Sequence, residues 1–209
     1  MIGVFIHGQA RSGKSTIATE LTRRGYRRFR FANTLKEMCK VLLLEAGYAS
    51  DEAEYYIEGG GRLDELAYLG TSNITSRRMM QLLGTEFGRR LDENLWVNIV
   101  KNQIDAQSAP PVVDDMRFKN EWAMAFNRGY LLVKVVRADF VENGVTRSHA
   151  SEQELPDDMF DVIVHNDSTY GDYITLLGRI VPQLVHLAET HQSRRTKPVH
   201  FSAWEGGGR

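Results

Sequence analysis

The stretch GQARSGKST, residues 8–16, follows the apolar run MIGVFIH and decides the fold. Gly8 and Gly13-Lys14-Ser15 have the spacing of a phosphate-binding loop, in which glycines let several backbone N–H groups point toward one anion. Lys14 can reach the β- and γ-phosphates of a nucleotide, and the Ser15 hydroxyl can coordinate Mg²⁺. The apolar run predicts a buried strand and the residues after the loop have helical spacing, which favours a phosphate site over a plain glycine turn. We therefore predict binding of ATP or GTP.

The overall composition is that of a globular chain without a dominant charge. The chain has 209 residues, 42% of them hydrophobic and 25% charged, and its formal net charge is −1. Chains that bind nucleic-acid polymers usually have a basic excess, so we expect no such partner. Arginine is much commoner than lysine, which either provides planar donors for phosphates or reflects drift in composition.

The number of cysteines and the length of the apolar runs exclude several further classes of protein. The single cysteine, Cys39, excludes an internal disulfide and a cysteine-based zinc site. No apolar run has the length that spans a bilayer, and the N-terminal run is too short for a secretory signal. We therefore expect no membrane partner and a cytoplasmic location.

Short apolar stretches alternate with stretches of helical spacing along the chain. We predict strands in IGVFIH, YRRFRFA, VVDD, YLLVKVVR and FDVIVHND, and we interpret residues 51–72 as short helices with a mobile loop. This alternation predicts βαβ units and hence an α/β fold of three layers. Its sheet should be mostly parallel and five-stranded, with helices on both faces.

Polar residues follow the predicted strands, at the edge where parallel sheets collect their ligands. They are His7 and Gly8, Asp114 and Asp115, Arg137, and His165 and Asn166. An acid at such a strand end typically holds the metal ion beside a phosphate loop. Because adjacent strand residues point to opposite faces, we expect one aspartate to face the loop and the other to be solvated or to form a cap. Arg117 would then meet an anionic ligand or pair with Asp115.

The stretch TSRRMMQLLGTEFGRR contains polar residues that recur every four positions. These residues, Arg77, Gln81, Thr85 and Arg89, would share one helix face beside methionines and leucines that belong to the core. Arginine suits a phosphate, and glutamine suits the edge of a purine or a pyrimidine base. The alternative is a solvated helix face.

A polar excursion separates the last two predicted strands. It contains Arg137, Arg147 and His149 around the turn signal ENG. A flap with arginines can close over phosphates and exclude water, as transfer to a small acceptor requires. The alternative is a plain hydrophilic loop.

Several segments, taken in chain order, resemble the phage-type deoxynucleoside monophosphate kinases of the P-loop nucleoside monophosphate kinase superfamily. They are GQARSGKST, FANTLK, TSRRMMQLLGTEFGRR-LDENLW, VVDDMRFKNE, VVRADF…HASE and DVIVHND, within about residues 1–185. The resemblance implies one P-loop kinase domain over residues 1–190, with an acceptor-binding insertion at about 33–105 and a lid at about 137–152. Residues 191–209 would form a flexible tail, and the protein could form a homodimer.

The same resemblance implies transfer of the γ-phosphate of ATP, with Mg²⁺, to a deoxynucleoside 5′-monophosphate. The host cytoplasm would be its location if a phage encodes it. It implies a catalytic role for Lys14, Asp115, Arg137 and Arg147. It implies metal binding by Ser15 and Asp115, and contact with the adenine of ATP by Asn166. The donor phosphates would contact Gly8, Ala10, Arg11, Ser12, Gly13, Lys14, Ser15 and Thr16.

Acceptor contacts are implied for residues of several segments: Phe31, Ala32, Lys36, Arg77, Gln81, Thr85, Arg89, Trp96 and Arg117. The chain departs from the family pattern at Asn33 and Thr34, where an acid and a proline are usual. It also departs in having two adjacent aspartates, Asp114 and Asp115. Two alternative functions are also compatible with a phosphate-binding loop. One is a kinase of another small acceptor, such as dephospho-coenzyme A or shikimate, and the other is a nucleotide-driven switch ATPase.

Overall fold

The computed structural model describes residues 2–58, 66–69, 72–137, 155–167, 169–190 and 198–202. The chain divides into two compact units. We call Met1–Arg30 together with Gln103–Arg209 the sheet unit, and Phe31–Asn102 the helical unit. Most of the predicted lid, including Arg147 and His149, lies outside the described residues.

The described elements alternate much as the sequence predicts. The strands are β1 (Val4–Gly8), β2 (Arg27–Phe29), β3 (Leu66–Leu69), β4 (Ser72–Thr75), β5 (Pro111–Met116), β6 (Leu131–Val136), β7 (Val162–His165) and β8 (Val199–Ser202). The helices are α1 (Lys14–Thr22), α2 (Ala32–Glu45), α3 (Ser50–Glu58), α4 (Ser76–Gln81), α5 (Arg89–Leu91), α6 (Leu95–Asp105), α7 (Lys119–Asn127) and α8 (Tyr170–Thr190). A π-helical segment, Leu82–Gly88, joins α4 to α5, and a short 3-10 helix spans Asp157–Met159. No helix in the described ranges is long and apolar enough to cross a membrane.

The sheet unit contains a parallel sheet in the order β2-β5-β1-β6-β7-β8. The α/β fold is thus confirmed, but the sheet has six strands and the predicted five is wrong. The sixth strand, β8, lies inside the segment expected to be a flexible tail. Val199 donates a backbone hydrogen bond to Asp161, and Phe201 packs against the core. This strand is too short for its apolar alternation to identify it in the sequence.

Both faces of this sheet are buried, which explains the nearly continuous apolar runs in its strands. One face packs on α1 and α8, through side chains such as Ile6, Ile17 and Ile180. On the other face Phe5 is fully buried and stacks on Tyr130, which follows α7. Helices on both faces give the three layers expected from the sequence.

The helical unit has its own small core. Cys39 and Leu43 of α2, Ile57 of α3 and Met79 of α4 are buried together, so the cysteine is a packing residue. Strands β3 and β4 pair as an antiparallel hairpin in the region that we interpreted as short helices and a loop. Helix α3 agrees with that interpretation and the hairpin does not, because a hairpin depends on pairing that a local pattern does not encode.

Candidate active site

The loop between β1 and α1 has the backbone geometry of a phosphate nest. Gly8 and Gly13 have φ values of 150° and 102°, and Arg11 between them has a φ of 59°. A Cβ on Gly8 would lie 2.4 Å from the Val135 carbonyl oxygen, and one on Gly13 would lie 2.6 Å from the Tyr173 hydroxyl. Both positions therefore require glycine for space as well as for conformation.

Side chains from distant elements hold the loop from behind. The Asn166 amide donates to the Ser12 carbonyl over 2.8 Å, and the Tyr173 hydroxyl donates to the Gly13 carbonyl over 3.0 Å. Since the C=O and the following N–H of a planar trans peptide point in opposite directions, these bonds aim the N–H groups of Gly13 and Lys14 away from the two side chains. The loop is thus fixed with its donors facing outward at the start of α1.

These contacts give Asn166 and Tyr173 positions behind the loop. Asn166 is 3% exposed, and its amide nitrogen is engaged by the loop, so contact with adenine stays a prediction. Its Oδ1 is buried without a hydrogen-bond partner among the described residues. Tyr173 lies on the apolar face of α8, where the sequence alone indicates a core residue. Its hydroxyl partner is 160 positions away in the chain.

Lys14 lies against the loop in a buried, charged environment. Its ammonium donates to the Gln9 carbonyl and lies 3.4 Å from the Ser12 hydroxyl. Burial and, second, the charge of Arg117 lower the pKa of Lys14 to about 8, although Asp114 and Asp115 partly offset this. Arg137, at the end of β6, reaches the loop through a 3.4 Å hydrogen bond to the Arg11 carbonyl.

The double acid lies in an irregular part of β5. Phe5 and His7 of β1 pair with Val113 and Met116, so β5 has one more residue than β1 between these partners. Such a bulge re-aims side chains and breaks the strict alternation of a strand. Both carboxylates lie close enough to Lys14 to affect its pKa.

Asp114, the first residue of the double acid, hydrogen-bonds with Ser15. Asp114 is 3% exposed, and Arg28 holds it with two hydrogen bonds, of which the Nε–Oδ1 bond is 2.9 Å long. Arg30 Nε donates to the same Oδ1 over 3.2 Å. Burial alone would raise the pKa of Asp114, but Arg28, Arg30 and a hydrogen bond with Ser15 hold it below its ordinary value. Asp115 is half-buried, and its proposed role with the metal stays a prediction.

The turn after β5 is organised by a buried glutamate. Glu121 accepts hydrogen bonds from the backbone N–H groups of Arg117 and Phe118, over 2.7 and 3.0 Å. The Arg117 side chain is exposed, and its charge reaches Lys14. Because the Glu121 carboxylate caps the turn, it is poorly suited to activate water as a switch ATPase would require.

His7, at the end of β1, has a structural role that the sequence did not indicate. Its Nδ1 lies 3.0 Å from the Met116 carbonyl, which can only accept, so this nitrogen carries the proton. Its Nε2 accepts from the Leu155 backbone N–H over 3.4 Å, and Lys134 donates to the Leu155 carbonyl over 2.8 Å. Leu155, which follows the predicted lid in the chain, is thereby tied to the sheet.

In the helical unit, the four residues of the predicted acceptor face are all half-buried. Arg77 and Gln81 lie in or at the end of α4, Thr85 lies in the π segment, and Arg89 begins α5. A π turn contains more residues than an α turn, so residues four apart stay close to one face across it. The π segment is therefore compatible with the shared face, which stays a prediction.

Trp96 is the residue that supports this π segment. Its indole N–H donates to the Gly84 carbonyl over 2.9 Å, and a Cβ on Gly88 would lie 2.2 Å from its ring. The side chain is 4% exposed, so a direct contact with substrate stays a prediction. The structure gives Trp96 a packing role, for which its spacing from the two glycines is the only signal in the sequence.

The remaining predicted acceptor residues lie at the start of α2. Phe31 is buried and Ala32 is half-buried. The Lys36 ammonium pairs with Glu58 at 2.6 Å, which orients its side chain.

The sheet, the phosphate loop and the acid beside Ser15 define the class of the protein. A parallel open sheet whose first strand leads through such a loop into a helix is the fold of P-loop kinases. The family model described as Deoxynucleotide monophosphate kinase matches residues 40–175, more than half of the chain. The chain belongs to this family.

One curated relative has a matching activity in its name. The Deoxynucleoside-5′-monophosphate kinase of Escherichia phage T5 is 36% identical over 91 residues, which are 40% of this chain. The match covers 36% of the relative, so the chain spans about a third of its length. Since the family match begins at residue 40, the loop at residues 8–16 is identified by its own spacing and geometry.

Proposed function

We propose that the protein transfers the γ-phosphate of ATP to a deoxynucleoside 5′-monophosphate, with Mg²⁺, and so forms ADP and the deoxynucleoside diphosphate. The observation that supports this best is the braced loop, with Lys14 and the Ser15–Asp114 contact beside it, in a chain of a deoxynucleotide monophosphate kinase family. The deoxynucleotide acceptor is taken from that family and from the name of the phage T5 relative.

The main obstacle to this reaction is repulsion between two phosphate-bearing molecules. Outward-facing N–H groups of the loop, the helix N-terminus and Lys14 would offset the negative charge of the donor phosphates. Arg137 lies close enough to the loop to contribute a further cation. The acceptor phosphate is already ionised near neutral pH, so no side chain is needed as a strong base.

The residues beside the loop fit a magnesium ion. Hydroxyl and carboxylate oxygens are the ligands that Mg²⁺ prefers, and they are present in Ser15, Asp114 and Asp115, with Ser15 hydrogen-bonded to Asp114. When bound, the ion supplies charge neutralisation across the β- and γ-phosphates. Asp115 would orient its water ligands, since Arg28 and Arg30 already engage Asp114.

The acceptor would be bound by the helical unit. Arg77 and Arg89 offer guanidinium groups for the monophosphate, and Gln81 and Thr85 offer hydrogen bonds to the base or the sugar. Their half-burial on one face of the α4–π–α5 stretch supports this role over a fully solvated helix face.

The test is an assay of ADP release from ATP with Mg²⁺, run with each of the four deoxynucleoside monophosphates, their ribose counterparts, dephospho-coenzyme A and shikimate. We expect rapid ADP release with at least one deoxynucleotide and formation of its diphosphate, detected by chromatography. Turnover only with dephospho-coenzyme A or shikimate would contradict the acceptor. ADP release at the same rate without any acceptor would contradict phosphoryl transfer and favour an ATPase.

A further inference from the structure

Strand β2 contains Arg28 and is followed directly by Arg30, and the proposed function does not yet use these two arginines. Arg28 and Arg30 are two residues apart in YRRFRF, and Phe29 between them is buried. Because side chains alternate along an extended chain, Phe29 belongs to the face opposite the two arginines. Both arginines contact Asp114 on the neighbouring strand β5. Arg27, on the same strand, is exposed.

The charges in this cluster do not balance. Arg28 bonds to both carboxylate oxygens of Asp114, and one such bidentate pair already neutralises a buried carboxylate. Arg30 adds a second cation, bound to Asp114 through Nε alone at 3.2 Å. The cluster therefore has one positive charge more than its acid needs.

The guanidinium of Arg30 is oriented but only partly engaged. Its Nε is held by Asp114, while its two terminal nitrogens have no acceptor in the part of the chain that the structure describes. The side chain is 29% exposed, so these donors are open to a ligand. Because an arginine fork matches the oxygens of a phosphate in pairs, the free edge suits an oxyanion.

Asp114 links this arginine to the phosphate loop, since the same carboxylate hydrogen-bonds with Ser15. We propose that Arg30, oriented by Asp114, contacts a phosphate oxyanion at the mouth of the loop, and that Arg28 is the counter-ion of Asp114. The inference rests on the proposed function, because the oxyanion is a phosphate of the donor or of the acceptor. Asp114 acts as a positioning residue for Arg30.

The test compares three substitutions in β2 and at the residue that follows it. Arg30→Met removes the proposed contact and leaves the Arg28–Asp114 pair, Arg28→Met removes the counter-ion, and Arg27→Met is the exposed control. Calorimetry measures the affinity for a non-hydrolysable ATP analogue in the presence of Mg²⁺. Separate titrations measure the affinity for each deoxynucleoside monophosphate. A thermal melt of each unliganded variant measures its stability.

We expect Arg30→Met to weaken at least one phosphate ligand by about 10-fold or more, as loss of a charge-assisted hydrogen bond does, with a Tm close to that of the wild type. Loss confined to the ATP analogue assigns the contact to the donor, and loss confined to the monophosphate assigns it to the acceptor. Arg28→Met should lower the Tm clearly, because it removes the main partner of a buried acid. Arg27→Met should change neither quantity.

Two results would overturn the proposal. One is wild-type affinity of Arg30→Met for both ligands. The other is a fall in its Tm as large as that of Arg28→Met, which would make Arg30 a second counter-ion. Failure of the proposed function would look different, because the wild-type protein would then bind the ATP analogue without phosphorylating any monophosphate. The affinities of Arg30→Met and the wild type for the ATP analogue would still test the Arg30 contact.

Discussion

We propose that the phosphate loop of the sheet unit binds the donor and that the α4–π–α5 stretch of the helical unit binds the acceptor. The two regions are built differently. The loop depends on backbone angles that only glycine takes easily, and it is braced by Asn166, which follows β7, and by Tyr173 of α8. The helical stretch depends on one packed indole, which fills the space above Gly88 and bonds to Gly84. The first region should therefore be sensitive to small changes in hydrogen bonding, and the second to small changes in volume.

The largest effect is expected at the loop. Lys14→Ala removes the cation that we propose to neutralise the donor phosphates, and we expect turnover to fall by roughly 10²–10³-fold or more, as for other groups that stabilise transition-state charge. The melting temperature should change little, because burial already disfavours the charged form. Steady-state kinetics and a thermal melt measure both quantities. Near wild-type turnover would remove Lys14 from the mechanism.

A single methyl group should disturb the helical region. Gly88→Ala places a Cβ 2.2 Å from the Trp96 ring, and we expect it to lower the free energy of unfolding by about 1–3 kcal/mol, as overpacking does. It should also raise the KM for the monophosphate more than that for ATP. The matched control is Gly178→Ala in α8, where a Cβ meets nothing within 4 Å. Equal stability of the two variants would show that Trp96 does not hold the π segment.

Removal of a single hydroxyl group should weaken nucleotide binding at the loop. Tyr173→Phe deletes the hydrogen bond to the Gly13 carbonyl, which is worth about 1 kcal/mol and so roughly a fivefold loss of ATP affinity. The affinity for the monophosphate should stay unchanged. Tyr170→Phe, at an exposed position of the same helix, is the control. Unchanged ATP affinity in Tyr173→Phe would mean that Asn166 alone fixes the loop.

The smallest effect concerns pH. The pKa of Lys14 is lowered to about 8 in the unliganded protein, so its positive charge is lost as the pH rises through 8. ATP affinity should therefore weaken by a few-fold between pH 7 and pH 9.

The free energy of unfolding of the unliganded protein should instead increase with pH. Between the folded pKa of Lys14 and its higher unfolded pKa, the unfolded chain binds more protons, so a rise in pH favours the folded state. Calorimetric titrations and melts in wild type and Lys14→Ala measure both trends, and a pH response retained in Lys14→Ala would contradict the assignment.

The features predicted correctly from sequence are those that a local pattern encodes. The glycine spacing of the loop, five parallel strands and the helices around Arg77 and Cys39 follow from residue types a few positions apart. The bulge that turns Asp114 toward Ser15, the pairing of β8 and the hairpin β3–β4 depend on partners distant in the chain. The same is true of Tyr173, because its role exists only when α8 packs against the loop. Asp115 was preferred over Asp114 because the resemblance aligns it with the acid of the DxRF segment, and its role with the metal stays a prediction.

The central claim is that the sheet unit binds the donor and the helical unit binds the acceptor. The most direct test measures the affinities of Arg77→Ala for the ATP analogue and for the preferred monophosphate in separate calorimetric titrations. The account predicts a loss of about 10-fold or more for the monophosphate, the size expected when a charge-assisted phosphate contact is removed, and wild-type affinity for the ATP analogue. Equal losses for both ligands, or no loss for the monophosphate, would contradict it.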